Sequence, residues 1–334
     1  MTTRTAVDNE TVDFDTPNLD LMNSSIKTML HASASADVAF SKTEYLPDLH
    51  AKSSKWFGNA TESRATLGKA CRTIRVKFEL SIDQFRMWND QLAESTEPTE
   101  LEEVYAELEK IHAGALAVVN TEAKHLAAAL SNIDQTFDPS QTKSYLIGLD
   151  KDTETFVAGI DKLKKEQATL TDQRKVMTDA IEALESTGLI DTAQNTLLTA
   201  EKVVAMGILP PQAVLVEMAL EQMKKTLEDA KATLNFFSLI TARDKIREHI
   251  EAKAIAISLL EKDHSLVSQR VILINAIHEL DEQQKILATE FKKVVTSVSA
   301  FLTLNKADLK DEENGTADFI SNASKLMGYL APIA

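Results

Sequence analysis

The sequence predicts an all-α protein: an elongated helical bundle with a long antiparallel two-helix stalk that ends in an apolar hairpin head. Three observations predict this class. Only 9 glycines and 7 prolines occur in 334 residues, so few positions can end a helix. Aromatic residues make up 5% of the chain, and residues that favour helices, such as Ala, Leu, Glu and Lys, are abundant. Apolar residues recur three and four positions apart, which is the period of an α-helix.

The N-terminal part of the chain divides at a proline. Residues 1–17 are polar and acidic, and we expect them to form a flexible arm. A first helix is expected from about Asn18 to Tyr45, because Pro47 disfavours helical backbone in the residue before it. A second helix is expected over about residues 48–92, where apolar side chains recur at helical spacing.

The start of the third helix carries a capping signal. Thr99 and Glu102 are three residues apart and form a capping box, with Pro98 just outside it. This predicts a third helix over about residues 99–134. The next clear break lies at Pro139, a residue suited to the first turn of a following helix.

Two long helices are predicted next. Residues 140–209 contain no proline, and as one helix they would be roughly 105 Å long at 1.5 Å per residue. Gly188 is a weak point that such a helix tolerates. Pro210 and Pro211 would end it, and a return helix is expected over about residues 212–304.

A seven-residue apolar repeat runs along the return helix. A strict repeat of this length predicts a left-handed packed seam. The stripe is wider than a two-stranded seam needs, so it favours the core of a multi-helix bundle over a homodimeric zipper. A short last helix, capped by Thr316, is expected to end near Leu330. The residues of the repeat are Leu259, Leu266, Leu273, Leu280, Leu287, Val294 and Phe301.

These elements predict one molecule with three functional parts. Residues 1–17 form the N-terminal arm. Residues 18–165 and 260–334 form a helical tail bundle and the lower part of the stalk. Residues 166–259 form the upper stalk and a hairpin head, with its tip at 203–220. The helical period continues up the stalk, so we expect no linker between these parts.

The most apolar segment lies at the turn between the two long helices. It reads VVAMGILPPQAVLVEMAL, and Glu217 is its only charge. Its apolar side chains cover more than one face around the turn, so two arms cannot bury all of them against each other. Such a segment on an acidic chain predicts contact with a membrane or a partner. The residues predicted to enter a membrane are Val203, Val204, Met206, Ile208, Leu209, Pro210, Pro211, Val214, Leu215, Val216, Met218 and Leu220.

Each arm of the hairpin is amphipathic and has the roughly 20 residues that a helix needs to cross a bilayer. A lone amphipathic hairpin would expose its charges to lipid, so the sequence predicts insertion by several copies whose polar faces enclose water. Two alternatives remain open: the apolar faces only hold the arms together, or a protein partner covers them. The polar face predicted to line a pore carries Glu217, Glu221, Lys224 and Glu228.

Composition and charge exclude several functions. The net charge is −15 and no Lys/Arg cluster occurs, which argues against binding of nucleic acid. Cys71 is the only cysteine, so no intramolecular disulfide can form. The N-terminus has no apolar core of a secretory signal peptide. No run of 18 uncharged apolar residues occurs, so no constitutive transmembrane helix is expected.

Nothing in the sequence predicts an enzyme, a cofactor or a metal site. The 7 histidines include no pair four residues apart, which rules out the zinc-protease helix motif. A second cysteine for a metal site is absent, and the glycines are too scattered for a phosphate-binding loop. The abundant carboxylates lie on long helices, where they usually form a solvated face.

The long helical stalk with an apolar hairpin around MGILPPQAVLVEM, without signal peptide or disulfide, resembles the α-helical pore-forming toxins. Within them it resembles the B component of the binary xenorhabdolysin family, which comprises the XaxAB, YaxAB and PaxAB toxins. The resemblance covers nearly the whole chain: a helical tail bundle, long neck helices, and a head hairpin over about residues 186–240.

The resemblance implies a cytolysin subunit that is secreted without a classical signal peptide as a soluble monomer. It would pair with a larger A component and form a hetero-oligomeric ring on lipid of the host cell membrane. The hairpin would then insert and line the pore, with residues 203–220 in the membrane. Two other functions stay open: a coiled-coil scaffold or adaptor that binds a protein partner through the hairpin, and a single-component cytolysin.

Overall fold

A computed structural model describes residues 14–95, 97–135, 137–186, 188, 197–226, 235–306 and 315–334. Within these residues the chain forms eight helices and no strand, so the predicted all-α class is confirmed. The helices are α1 (Leu19–Thr43), α2 (Pro47–Glu94), α3 (Pro98–Ile133), α4 (Ser140–Ser186), α5 (Ala200–Ala205), α6 (Pro210–Thr226), α7 (Phe236–Leu304) and α8 (Gly315–Leu330).

The described residues form two compact units. The first comprises residues up to 143 and from 272 onward, and the second comprises residues 144–271. Helices α1, α2, α3 and α8 belong to the first unit and α5 and α6 to the second, while α4 and α7 contribute to both. The second unit contains the whole of 166–259, the segment that the sequence assigned to the upper stalk and head. The limits of the three functional parts stay a prediction.

One hydrophobic core fills the first unit. Aromatic rings from three helices meet in it: the ring centroids of Phe78 and Phe301 are 5.1 Å apart, and those of Phe85 and Phe319 are 5.2 Å apart. The C-terminal part of the seven-residue repeat lies in this core, so the predicted seam is confirmed there. Its members with no exposed surface are Leu273, Leu280, Leu287, Val294 and Phe301.

The N-terminal part of the repeat does not form a buried seam. Leu259 is 60% exposed, and Ile257 and Val267 are buried in its place. A straight α-helix drifts by about 20° per heptad relative to an exact seven-residue repeat. Leu259 therefore does not face the packing partners of α7 in the second unit, and the prediction for Leu259 is wrong.

The first helices begin near the predicted residues, but one capping signal is wrong. The side chain of Asn18 caps α1 by accepting a hydrogen bond of 2.9 Å from the N–H of Leu21. Helix α3 begins at Pro98, and Glu97 precedes it without a side-chain cap. Proline is favourable at the first helical position because its missing N–H would have no partner there. Thr99 therefore lies inside the helix and forms no capping box.

The first long helix is shorter than predicted. Helix α4 ends at Ser186, and Gly188 follows with φ of +66°, in the left-handed region that commonly ends helices. Thr199 is extended and caps the short helix α5, accepting a hydrogen bond of 3.3 Å from the N–H of Lys202. The prediction of one helix over 140–209 is therefore wrong.

The return helix is also interrupted. Asn235 precedes α7, and its side-chain oxygen accepts a hydrogen bond of 2.9 Å from the N–H of Ser238. Asparagine competes with the helical backbone for hydrogen bonds and is favoured at such caps. The prediction of one helix over 212–304 is therefore wrong, because α6 and α7 are separate helices.

Helices α4 and α7 run antiparallel in the second unit, and two ion pairs join them. Lys253 Nζ lies 2.5 Å from Glu166 Oε2, and Lys164 Nζ lies 2.8 Å from Glu261 Oε1. The hydrogen bond from Lys253 holds the pKa of Glu166 below its ordinary value. This pair of helices supports the hairpin formed by α5 and α6.

Candidate functional site

The candidate site is the hairpin of α5 and α6, and its turn lies at residues 206–209. Gly207 has φ of +84°, a conformation that glycine adopts without the steric cost of a side chain. The Leu209 carbonyl then accepts the first N–H groups of α6 at 3.0 Å. Pro210 and Pro211 begin α6, where their missing N–H groups cost no hydrogen bond. The prediction that the proline pair forms the fold-back point is corrected: the turn precedes it.

One face of the hairpin is buried in a second hydrophobic cluster, which we call the head core. Four of the residues predicted to enter a membrane lie in it and are at most 5% exposed: Val203, Ile208, Val216 and Leu220. The apolar side chains of the two arms therefore pack against α4 and α7 as well as against each other. The α4 members are Met177, Ala180, Ile181, Ala183 and Leu184, and the α7 members are Phe236, Leu239, Ala242 and Ile246.

The sequence reasoning missed the α4 and α7 sides of the head core. The signal was present, since both sets recur three and four residues apart. Just before α5 and at the start of α7, adjacent residues differ in burial: Leu198 and Phe236 are buried, whereas Leu197 and Phe237 are 44% and 54% exposed.

The other face of the hairpin exposes large apolar side chains. Val204 is 59%, Leu209 68%, Val214 54% and Met218 51% exposed. Pro211 is exposed, whereas Met206 and Leu215 are half-buried. The side chain of Pro210 lies outside the described structure. Closing the head core does not require four exposed apolar side chains beside the tip of the hairpin.

The charged residues of α6 lie on one side of the helix and form a stripe. Glu217, Glu221, Lys224 and Lys225 are exposed, and none of them forms an ion pair with another described residue. At about 100° per residue the four occupy a sector of roughly 100°. Met218 and Leu215 continue the apolar side of the helix beyond that sector. Glu228, the fourth residue of the predicted polar face, lies outside the described residues.

The described structure contains neither a metal centre nor an obvious membrane span. No group of three or more His, Cys, Asp or Glu side chains is arranged to hold a metal ion among the described residues. Over the same residues, no helix is both long enough and apolar enough to cross a bilayer. The chemistry that this hairpin offers is therefore an apolar surface with a charged stripe.

Comparisons with known proteins establish the fold. No protein-family model matches the sequence. No curated protein matches it either. Among solved structures, PaxB from Photorhabdus luminescens matches with a TM-score of 0.79 at 16% identity, over 96% of this chain and 97% of PaxB. XaxB from Xenorhabdus nematophila matches with a TM-score of 0.78 at 13% identity, over 94% and 96% of the two chains.

A chain of the XaxAB pore complex from Xenorhabdus nematophila also matches, with a TM-score of 0.62 at 16% identity over 95% of this chain and 96% of that one. These matches span nearly the full length of both partners, so the protein has the helical fold of PaxB and XaxB. The structural resemblance predicted from the hairpin and the long helices is confirmed.

Proposed function

We propose that this protein is a subunit of an α-helical pore-forming toxin. The fold shared with PaxB, XaxB and a chain of the XaxAB pore complex supports this class. The single observation that carries the proposal is the two-faced hairpin. Its inner face is packed in the head core, and its outer face exposes Val204, Leu209, Val214 and Met218. This role is that of a cytolysin and not of an enzyme.

On insertion, the hairpin would leave the head core as one piece. It lies between separate helices, with Thr199 capping α5 and Asn235 capping α7. On insertion, Val203 and Val216 would exchange the apolar head core for apolar lipid, a small change in environment. The four exposed side chains would gain about 1 kcal/mol each, since roughly half of each is already in water.

The charged stripe sets the conditions for insertion. A charge at the centre of a bilayer costs about 2.5–3.5 kcal/mol on insertion scales. Glu217, Glu221 and Lys224 together would therefore outweigh the gain from the exposed apolar side chains. A single hairpin does not insert favourably, whereas a ring of hairpins turns the stripes toward a water-filled lumen. The stripe thus supports pore formation by an assembly.

The finer proposal is a binary system. The protein would be secreted as a soluble monomer, and would join a larger A component in a hetero-oligomeric ring on a host cell membrane. The match to a chain of a complex named for two components supports this arrangement. The hairpin of α5 and α6 would then enter the lipid and line the pore.

Dye release tests the proposal. Phosphatidylcholine vesicles and red blood cells would be exposed to this protein alone, to a larger component of the XaxA type alone, and to both. Release that requires both proteins is expected. Release by this protein alone would identify a single-component cytolysin. No release in any combination would overturn the toxin proposal and favour the scaffold, in which the hairpin binds only protein.

A further inference from the structure

Two arginines of α2 converge over a glycine. Arg64, Gly68 and Arg72 are spaced four residues apart, so they share one face of the helix. A methyl group placed on Gly68 would lie 3.4 Å from Arg72 Nη1 and 3.6 Å from Arg64 Nη1. The two Nη1 atoms are therefore no more than about 7 Å apart. The missing side chain of Gly68 lets both guanidinium groups lie against the helix.

Neither guanidinium is neutralised by a carboxylate of the described residues. Arg64 donates a hydrogen bond of 3.4 Å to the carbonyl oxygen of Ile333, and Arg72 has neither a hydrogen bond nor an ion pair there. The next arginine along this face differs, because Arg75 pairs with Glu79 at 3.7 Å. Each guanidinium has five N–H donors, so most of the donors of this pair have no protein acceptor in the described structure.

The positive charge of this face reaches the interior of the helix bundle. Cys71 lies beside it and is fully buried. Burial raises the pKa of the Cys71 thiol to about 12, while Arg64, Arg72 and Arg75 act in the opposite direction. Two adjacent arginines that pair with no carboxylate of the described residues are unusual in a chain that carries 51 acidic and 36 basic residues.

We propose that the face formed by Arg64, Gly68 and Arg72 binds a phosphate monoester. Two guanidinium groups supply the charge that a dianion needs, and guanidinium donors match the oxygens of phosphate at N–O distances of about 2.8 Å. A tetrahedral anion can span a gap of up to about 7 Å between two donors by accepting one hydrogen bond from each. The proposal does not depend on the function proposed for the hairpin.

A small or membrane-bound anion fits this face better than an acidic protein. The net charge of −15 repels other acidic proteins. A phosphate group close to the arginines is dominated by the local charges, because charges farther away than about 8–10 Å are screened by salt. The shared chemistry has two sources: a soluble phosphate monoester and the headgroup of phosphatidic acid.

Calorimetric titration of the full chain with glycerol phosphate, at constant ionic strength and pH 7.5, tests the site. Arg64→Gln and Arg72→Gln should each weaken binding by about tenfold, because each removes a charge-assisted hydrogen bond. Arg86→Gln is the matched control on the same helix, since Arg86 has its own partner in Asp83 at 3.7 Å, and it should bind as the wild type does. Circular dichroism confirms that each variant is folded.

Two further measurements complete the experiment. Gly68→Glu places a carboxylate between the arginines and should abolish the phosphate response in a folded protein. Flotation with phosphatidylcholine vesicles, with and without phosphatidic acid, identifies the source of the phosphate. The proposal would be overturned if the wild type bound neither glycerol phosphate nor phosphatidic acid. It would also be overturned if the wild type and both glutamine variants bound them with equal affinity.

Discussion

The backbone N–H of Asn18 donates a hydrogen bond of 2.7 Å to the carboxylate of Glu290, which fastens the start of α1 to α7 across 272 residues of chain. Lys293 Nζ lies 2.9 Å from the same carboxylate. Glu290 is buried, so these two donors offset the cost of removing its charge from water. Asn18 also caps α1 with its side chain, so one residue fixes both the start and the position of the helix.

Glu290→Gln should lower the free energy of unfolding by about 2 kcal/mol at pH 7, because hydrogen bonds to a buried charge are stronger than neutral ones. Burial raises the pKa of Glu290, but the Asn18 N–H and Lys293 outweigh it and hold that pKa below its ordinary value. The stabilisation by the carboxylate is therefore complete above the ordinary pKa of a glutamate, and it is lost as the pH falls through the lowered folded-state pKa. Urea unfolding at pH 7 and pH 3 measures both effects.

Glu282→Gln, an exposed position on the same helix, is the control and should change stability little. A difference between wild type and Glu290→Gln that stays constant from pH 7 to pH 3 would contradict the assignment.

The turn of the hairpin should depend on Gly207. Gly207→Ala should destabilise the protein by about 1–2 kcal/mol, because φ of +84° is strained for a residue with a side chain. No atom lies within 4 Å of the added methyl group, so the effect reports the backbone alone. Gly148→Ala is the matched control: it also meets no neighbour and lies inside α4, where alanine should stabilise by about 0.5–1 kcal/mol. Urea unfolding measures the free energy of unfolding of both variants. A Gly207→Ala variant as stable as the wild type would show that the backbone at this position is not strained.

The sequence predicted most helices of the first unit well because their signals are local. Prolines and Asn18 mark the helix starts, and the repeat from Leu273 to Phe301 is read directly from spacing. Each of these features depends on residues within one or two helical turns. The all-α class and the helical core of the first unit follow from them.

The breaks beside the hairpin could not be predicted from the same signals. Gly188 and Asn235 are both tolerated inside helices at about 1 kcal/mol or less relative to alanine, so neither demands an end there. Burial of α5 and α6 against α4 and α7 determines where these helices end, and that contact joins residues far apart in sequence. The same contact determines that Val203, and not Val204, is buried.

Two valines of α6 separate membrane action from folding. Val214 is 54% exposed and Val216 has no exposed surface, although both belong to the predicted inserting segment. Val214→Asp should change the free energy of unfolding by less than about 0.5 kcal/mol and strongly reduce lysis. Val216→Asp should cost about 3 kcal/mol or more, because it buries an unpaired carboxyl group in the head core. Urea unfolding and red-cell lysis, with the larger component present, measure the two effects.

The pair distinguishes the proposed toxin from a scaffold. Full lytic activity of a correctly folded Val214→Asp would show that the exposed face does not meet lipid. Leu80→Asp on α2 is the control for an exposed apolar residue outside the hairpin, since Leu80 is 60% exposed, and it should leave lysis intact.

The charged stripe of α6 should set the ion preference of the pore. The stripe carries two carboxylates, Glu217 and Glu221, and two lysines, Lys224 and Lys225, all exposed without an ion pair to another described residue. A lumen lined by several copies of this stripe would hold rings of carboxylates that attract cations. The double variant Glu217→Gln/Glu221→Gln keeps the size of both side chains and leaves only the two lysines charged among the described residues of α6, so the preference should shift toward anions. Reversal potentials in planar bilayers under a potassium chloride gradient measure this shift. Glu62 is an exposed residue of α2, and Glu62→Gln should leave the reversal potential unchanged. A double variant that also leaves the reversal potential unchanged would show that the stripe does not line the lumen.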